Sequence, residues 1–421
     1  MGRELSNPET RVKPPEGTSP RRSQRVEAGG VALLLFLAAA IPFARQLLLG
    51  AGLLDDDVFL QSLPAWEWLS RSLRSGESVL WAPEMMGGFP IAFTQYPFLY
   101  PPDLLLAWLL PPVQAYAWSL VLHLLLAGLL TYSYCRTIGL GAWAALLAAL
   151  SYQMSSEVVA GSSGFTARSA FALPGVMLAS ELVLRRGPRY GPLVALLIAA
   201  ALLGGHPQLV LFALATGGLY AGFRLLQAAR SSGVRRAGEM AGWLALAAAV
   251  GVAGAAARLI PTWEVVALST RGGGLPPEMG GGGALSVQGL LVGYLLPLTR
   301  LQTLPWGAPP YAGPAVVVLA VLGLGSLVAR PIGGFLLGLG TLAALLALGE
   351  ATPLQQIGRL PLLSFFREPS RYALVATFCL AVLGGMALEG FLERVHGIGT
   401  RRPRGLALMA ALSGVALVAL F

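Results

Sequence analysis

The sequence has few cysteines, few histidines and few charged residues. Its 421 residues include 2 cysteines and 3 histidines, and only 12% are charged, against about 25% in soluble domains. Cys135 and Cys379 both lie in apolar segments, which argues against a disulfide framework. The histidines are scattered without ligand spacing, so we expect no zinc site. With 55% hydrophobic residues, the chain is predicted to be a polytopic membrane protein.

Lysine is almost absent as well, and the basic residues are nearly all arginine. Lys13 is the single lysine among 29 basic residues, and the formal net charge is +9. No basic stripe is interleaved with aromatic residues, so we expect no nucleic-acid partner. The arginines are better interpreted as topology signals. The Ala, Gly, Arg and Pro usage is typical of a GC-rich bacterial genome, which predicts a bacterial cytoplasmic (inner) membrane location.

The first 28 residues differ from the rest of the chain. They are basic and rich in Pro, Ser and Gly, so residues 1–28 are predicted to be a disordered cytoplasmic tail. The apolar run that follows is too long for the hydrophobic region of a typical signal peptide, and an uncleaved signal anchor is the favoured interpretation.

About eleven apolar segments follow the tail and predict an all-α, multi-pass membrane domain over residues 29–421. With the N-terminus in the cytoplasm, most arginines between the segments lie inside and most acids lie outside, as topology rules require. This orientation places the polar segments 51–111 and 350–371 outside the cytoplasm. The predicted spans are 29–51, 112–135, 140–154, 168–184, 190–205, 207–223, 239–260, 311–329, 332–349, 372–393 and 405–421.

The first outer loop, 51–111, begins with the acids Asp55, Asp56 and Asp57 and continues with many Trp, Tyr, Pro and Gly residues. Carboxylates are costly in hydrocarbon, so these acids must face an interface or a polar cavity. Residues 58–75 are predicted to form an amphipathic helix on the bilayer surface. The alternative is an ordinary solvated loop whose aromatic residues form an interfacial belt.

Two other outer segments carry polar chemistry. Arg367 and Arg371 are four residues apart and share a face if they lie in one helical turn. Guanidinium groups bind phosphate well, so the pair is a candidate phosphate site, although both residues would equally suit an interface with lipid. His206 and Gln208 lie in a Gly-Gly-His-Pro-Gln break within a long apolar run, which indicates a tight turn or a broken helix lining a cavity.

The order of these motifs resembles the bacterial YfhO-like membrane protein family, over residues from about 29 to 394. The family is similar to the GT-C glycosyltransferases. The resemblance therefore implies a GT-C-like fold, a polyprenyl-phosphate-linked sugar as donor, and an acid of the first outer loop as catalytic group. Two features depart from the family pattern: Ala82 replaces a usual Asn, and the chain ends at Phe421 within an apolar segment, as a short member or a fragment would. The matching motifs are Asp57…Pro64, Leu80-Trp81-Ala82-Pro83, Gly87-Gly88-Phe89-Pro90, Leu99-Tyr100-Pro101-Pro102, Gly205-His206-Pro207-Gln208, Pro261-Thr262-Trp263-Glu264 and Phe366-Arg367-Glu368-Pro369-Ser370-Arg371.

The resulting hypothesis is an inverting glycosyltransferase acting on an extracytoplasmic acceptor in contact with membrane lipid. Asp57 or Asp56 is the predicted general base, and a divalent metal held by two aspartates is a second possibility. The predicted substrate-binding residues are Arg367, Arg371, His206, Gln208, Trp81 and Tyr100. The alternative functions are an envelope transporter or lipid-handling protein, and a structural scaffold.

Overall fold

The computed structural model describes residues 20–50, 58–94, 96, 98–159, 164–270, 272, 283–296, 310–360, 363–366 and 368–397. Within these ranges the chain is helical and forms no β-strand, which confirms the all-α prediction. The helices are α1 Pro20–Ala40, α2 Ala44–Leu49, α3 Leu63–Ser75, α4 Pro101–Leu109, α5 Pro112–Thr137, α6 Ala142–Gln153, α7 Ser156–Val159, α8 Phe165–Ser169, α9 Ala172–Arg186, α10 Gly191–Gly204, α11 Pro207–Ser232, α12 Val234–Gly254, α13 Ala256–Ala267, α14 Val287–Leu295, α15 Pro314–Leu322, α16 Leu324–Ala329, α17 Pro331–Ala347 and α18 Ala373–Gly397.

Six helical stretches in the described part of the chain are long and apolar enough to cross a membrane. Two shorter apolar helices, Pro188–Gly204 and Pro331–Ala347, accompany them. The length and composition of these helices support the prediction of a membrane protein. Helices occupy the predicted spans from 29–51 to 372–393, whereas 405–421 lies outside the described residues, so the count of eleven crossings stays a prediction. The six stretches are Val26–Leu49, Pro112–Thr137, Phe165–Arg186, Pro207–Ser232, Val234–Gly254 and Pro369–Val395.

Proline sets the start of several helices. Pro112, Pro207 and Pro331 each occupy the first helical position of α5, α11 and α17. Proline suits this position because its fixed φ is helical and its missing N–H would have no partner there. The helix boundaries near 112, 207 and 331 were therefore readable from the sequence.

The centre of the bundle consists of α5, α6, α9 and α18, which supply many fully buried side chains. Small residues allow the close packing of helices that membrane bundles require. A Cβ atom added at Gly385 of α18 would lie 2.7 Å from the carbonyl oxygen of Ala144 in α6. The α6–α18 contact therefore depends on glycine.

The N-terminal helix begins earlier than the predicted first span. α1 starts at Pro20, so residues 20–28 of the predicted tail are helical. Glu27 accepts a hydrogen bond from the Tyr132 hydroxyl at 3.2 Å and lies 3.7 Å from Nη2 of Arg136. These contacts attach the start of α1 to the end of α5.

Long-range contacts divide the bundle into two ends. At one end, which we call the loop-rich end, the segments near residues 58–111, 154–169, 204–208, 283–286 and 347–372 meet one another. At the opposite end, Gly141 N donates to Glu389 at 2.7 Å and Arg330 pairs with Glu393 at 3.2 Å. The polar segments assigned by sequence to one side of the membrane are thus brought together.

α3 is the predicted amphipathic helix, and its apolar face packs against the bundle. Trp66 and Leu69 are fully buried, and the Trp66 ring lies edge-on to Tyr116 of α5 at 5.8 Å. Phe59, predicted to share this face, is 65% exposed because it precedes α3 in a wider helical turn, Val58–Ser62. A helix is therefore present over Leu63–Ser75, but its predicted placement on the bilayer surface is wrong for Trp66 and Leu69, because both side chains are buried inside the bundle.

Candidate functional site

The loop-rich end contains a polar cluster centred on Arg371. Its Nη1 donates to Oε1 of Gln208 at 2.9 Å and lies 3.2 Å from Nε2 of His206. Its Nη2 lies 2.7 Å from a carboxylate oxygen of Glu368. The amide of Gln208 in turn donates to the backbone carbonyl of Glu368 at 2.9 Å. Three of the predicted substrate-binding residues, Arg371, His206 and Gln208, thus form one group.

The break between α10 and α11 positions His206. α10 ends at Gly204, and Gly205 and His206 are extended before α11 begins at Pro207. The backbone N–H of His206 donates to Oγ of Ser169 at 2.8 Å, and its ring lies 5.6 Å from Phe165. Of the two interpretations of this break, a tight turn between helices is the one observed.

The backbone before Arg371 differs from the expectation of one helical turn shared with Arg367. Glu368 has φ −109° and ψ 89°, and the helical turn begins only at Pro369. A residue that precedes proline is disfavoured in the helical region because the proline ring crowds its backbone. Arg367 itself lies outside the described residues, so its pairing with Arg371 stays a prediction.

Glu157, in the short helix α7, is a further ionisable group beside this cluster. It is partly buried, and burial raises its pKa to about 8, while nearby Arg371 offsets part of the rise. A carboxyl group with a pKa near the working pH is suited to general acid or base chemistry. The sequence presented Glu157 only as an isolated acid, because its proximity to Arg371 depends on the fold.

Tyr100 is buried next to the turn that holds His206. A Cβ atom added at Gly204 would lie 3.0 Å from the Tyr100 ring. Burial, and then the charge of Asp103, raises the pKa of the Tyr100 hydroxyl, which therefore remains a proton donor at neutral pH. Tyr100 thus packs against the end of α10, two residues before His206.

Arg258 of α13 joins the same elements through the backbone. Its Nη1 donates to the carbonyl oxygens of Leu202 and Leu203 at 2.9 and 2.6 Å, and its Nη2 donates to that of Thr94 at 3.2 Å. The last carbonyls of a helix have no partner within the helix, and a cation satisfies them well. Arg258 is therefore a structural clamp on the end of α10.

Sequence reasoning missed Asp103, the first-turn acid of α4. It is fully buried and its Oδ1 accepts a hydrogen bond from the Ser119 hydroxyl at 2.6 Å. His123 is buried one turn further along α5, with Nδ1 2.6 Å from the Ser119 carbonyl oxygen. The signal was an acid directly before an apolar run, which is costly unless it has a function or a partner.

Among the described residues, the predicted site residue Trp81 has no contact with the Arg371 cluster. Asp56 and Asp57 lie outside the described residues. Trp81 is 52% exposed, and its ring lies against Gly88. The adjacent residues Ala82 and Phe89 form an isolated antiparallel β-bridge. In the described ranges no group of three or more His, Cys, Asp or Glu residues has a geometry suited to a metal ion. The predicted metal ligands among residues 55–57 are not part of these ranges.

A cavity of about 390 Å³ lies at the opposite end of the bundle and is not part of this site. Its charged residues are already engaged. Arg224 binds the buried Glu181, Arg330 pairs with Glu393, and Glu389 accepts the Gly141 N–H. The cavity is therefore distinct from the Arg371 cluster at the loop-rich end.

Comparison with known proteins adds no name to this site. No protein-family model and no curated protein sequence matches the chain.

Proposed function

We propose that this chain is a GT-C-type membrane glycosyltransferase that moves a sugar from a polyprenyl-phosphate donor to an extracytoplasmic acceptor. The observation that carries the proposal is the Arg371 cluster, in which Arg371 binds His206 and Gln208 beside Glu157. Residues more than 160 positions apart meet there. A partly buried guanidinium oriented by His206 and Gln208, with Glu368 as its counter-ion, is a suitable binding group for a phosphate.

The proposed roles follow the chemistry of an inverting transfer. Asp57 or Asp56 removes the proton from the acceptor hydroxyl, whose oxygen forms a bond to the anomeric carbon. The bond from that carbon to the phosphate oxygen breaks, and the electron pair leaves with the polyprenyl phosphate. General-base assistance contributes about 10²–10⁴-fold.

Arg371, with Arg367, stabilises the charge that develops on the departing phosphate, since charge stabilisation is commonly the largest catalytic effect. His206 and Gln208 hold the guanidinium of Arg371 in place. Glu157 is the second acid–base candidate, because its pKa of about 8 allows both protonation states near neutral pH.

The test measures sugar transfer and donor consumption separately. Purified protein in vesicles is given fluorescent polyprenyl-phospho-hexoses and a bacterial envelope extract as acceptor, and release of polyprenyl phosphate is followed by chromatography. We expect R371Q and the double variant D56N/D57N to lose most of the release. R235Q is the matched control, because Arg235 is 95% exposed in its side chain and lies in α12, outside the cluster. Wild-type release in both site variants would contradict the assignment.

A second candidate function is transport of a lipid-linked or polar substrate. The observation in its favour is the pair Asp103 and His123, since buried ionisable groups between spanning helices commonly mark substrate or proton pathways. Reconstituted vesicles distinguish the two functions. Movement of labelled lipid across the bilayer without release of polyprenyl phosphate favours transport, whereas release with transfer favours the enzyme.

A further inference from the structure

Arg168 is a buried cation outside the Arg371 cluster. It lies in α8 and is only 1% exposed. Its Nε and Nη1 atoms have no hydrogen-bond partner among the described residues, and no carboxylate there pairs with it. The guanidinium lies between two aromatic rings, with Cζ 5.7 Å from the centre of Tyr116 and 5.4 Å from that of Phe165. Cation–π contacts of this kind offset only part of the cost of burying the charge.

Two further buried groups near Arg168 have an unused hydrogen-bonding atom. Oδ2 of Asp103 and Nε2 of His123 are both buried without a partner in the described part of the chain. Arg168 is close enough to His123 and to Arg258 to act on each electrostatically, and Asp103 acts on His123 in the same way. The four residues therefore form one buried group.

The charges in this group are unbalanced. Arg168 and Arg258 are cations, and Asp103 is the one carboxylate among the four residues. Arg258 is satisfied by backbone carbonyls, as described above, but Arg168 is not. A buried charge without a partner is strongly unfavourable, and a buried polar atom without a hydrogen bond is costly. A ligand that carries an anionic oxygen would satisfy Arg168, and a hydroxyl on the same ligand would satisfy Asp103 or His123.

The depth of the group fits a lipid headgroup. Arg168 is the fourth residue of the candidate span Phe165–Arg186, so it lies within about one helical turn of the loop-rich end of that span. Tyr116, which contacts Arg168, and His123 are separated by seven residues of α5, which corresponds to about 10 Å along the helix. A ligand whose phosphate binds Arg168 and whose sugar ring extends toward His123 would span about this distance.

We propose that Arg168, Asp103 and His123 form a binding site for a sugar phosphate carried on a prenyl lipid. Arg168 binds the same phosphate whose departing charge Arg371 stabilises in the proposed reaction, and Asp103 with His123 binds hydroxyls of the sugar. The inference rests on the proposed function, because it takes the donor of that reaction as the ligand. It adds a location for the headgroup, next to the Arg371 cluster through Phe165, which contacts both Arg168 and His206.

The experiment measures binding without turnover. Purified wild-type protein in detergent is titrated with inorganic phosphate, farnesyl phosphate, and farnesyl-phospho-glucose, -mannose and -galactose, in the absence of acceptor. We expect at least one farnesyl-phospho-hexose to bind roughly tenfold or more tightly than farnesyl phosphate, and inorganic phosphate to bind more weakly than both. Equal binding of inorganic phosphate and the lipid forms would assign the site to a free anion and overturn the lipid-linked assignment.

Two substitutions separate the roles within the site. R168M removes the charge at similar size, and we expect roughly tenfold or greater loss of affinity for farnesyl phosphate and for the hexose forms. D103N keeps the shape of the carboxylate, and we expect it to remove the preference for the hexose forms while leaving farnesyl phosphate binding within about twofold. R235M is the matched control at an exposed arginine and should change neither affinity.

Thermal unfolding of the same variants tests whether Arg168 is instead a structural residue. Replacing an unpaired buried charge with an apolar side chain of similar size often increases stability, so ligand-free R168M should unfold at or above the wild-type temperature. If R168M does not fold, R168K is used, because it keeps the charge but not the guanidinium geometry. Wild-type affinity in either variant overturns the proposal. Wild-type affinity in R168M together with lost polyprenyl phosphate release in R371Q would reject this site but not the proposed function.

Discussion

The carboxylate of Glu368 lies 2.7 Å from Nη2 of Arg371, three residues further along the chain. The same residue offers its backbone carbonyl to the amide of Gln208, which also binds Arg371. Glu368 therefore has two separable effects on the cluster. Its side chain neutralises the guanidinium, and its backbone holds the Gln208 side chain that orients the guanidinium.

The substitution E368Q removes the negative charge and keeps the backbone contact. The ion pair is partly exposed, and such pairs are worth about 0.2–1 kcal/mol. We therefore expect affinity of the phosphate-bearing donor to increase about twofold to fivefold, seen as a lower KM in the release assay. R371Q should act in the opposite direction. If KM were unchanged in E368Q and kcat/KM were unchanged in R371Q, the proposal that Arg371 binds the donor phosphate and Glu368 weakens this binding would be contradicted.

Glu157 makes stability depend on pH in a specific direction. Its pKa is raised from an ordinary value of 4.5 to about 8, so the folded protein holds a proton that the unfolded chain releases between these values. Stability therefore falls as pH rises through this window. We expect the melting temperature of the wild type to decrease between pH 5 and pH 9, and that of E157Q to be flatter. Arg371, Tyr294 and Tyr152 are the charged and titratable neighbours that interact with this carboxyl group. A parallel pH profile in E157Q would refute the assignment.

Arg258 is expected to be structural. R258M leaves the carbonyls of Leu202, Leu203 and Thr94 without their donor, and buried polar atoms without partners cost about 1–3 kcal/mol each. We expect a clear decrease in melting temperature, measured by unfolding in detergent. The exposed variant R235M should show no such decrease. Equal melting temperatures of R258M and R235M would show that the hydrogen bonds of Arg258 do not stabilise the fold.

Glu181 tests the opposite end of the bundle. Its carboxylate is fully buried and binds Arg185 at 2.5 Å, the Tyr220 hydroxyl at 2.5 Å, and Arg224. Removing one partner of a buried ion pair costs about 3–5 kcal/mol. E181Q should therefore lower stability strongly while the KM of the folded fraction stays unchanged. If E181Q selectively lost donor affinity without losing stability, the donor site would lie at the Glu181 end of the bundle, and the proposed site at the loop-rich end would be contradicted.

The helices were predictable because their signals are local. Apolar runs and proline at first helical positions indicated where helices lie, and the structure places helices there. The start of α1 was set too late because residues 20–28 are polar. Their helical continuation is attached by Glu27 to Tyr132 and Arg136, which are more than 100 residues away.

The site was predictable only in part. Arg371, His206 and Gln208 were recognised separately, but the contact between His206 and Arg371 joins residues 165 positions apart. The sequence around Glu157 and Arg168 does not mark either residue as a site residue. Their protonation and binding properties depend on burial and on neighbours that only the fold brings close. Glu368 is non-helical because it precedes Pro369, and this local effect could have been read from the sequence.

The bonds of Arg258 have a mechanical consequence. The guanidinium of Arg258 binds both the carbonyl of Thr94, within the first outer loop, and the carbonyls that end α10 just before His206. Movement of residues 91–94 cannot occur independently of the His206 turn while these bonds persist. In the proposed reaction, an acceptor that displaces the first outer loop would also move His206, the partner of Arg371. Binding of the acceptor would thereby change how Arg371 binds the donor phosphate.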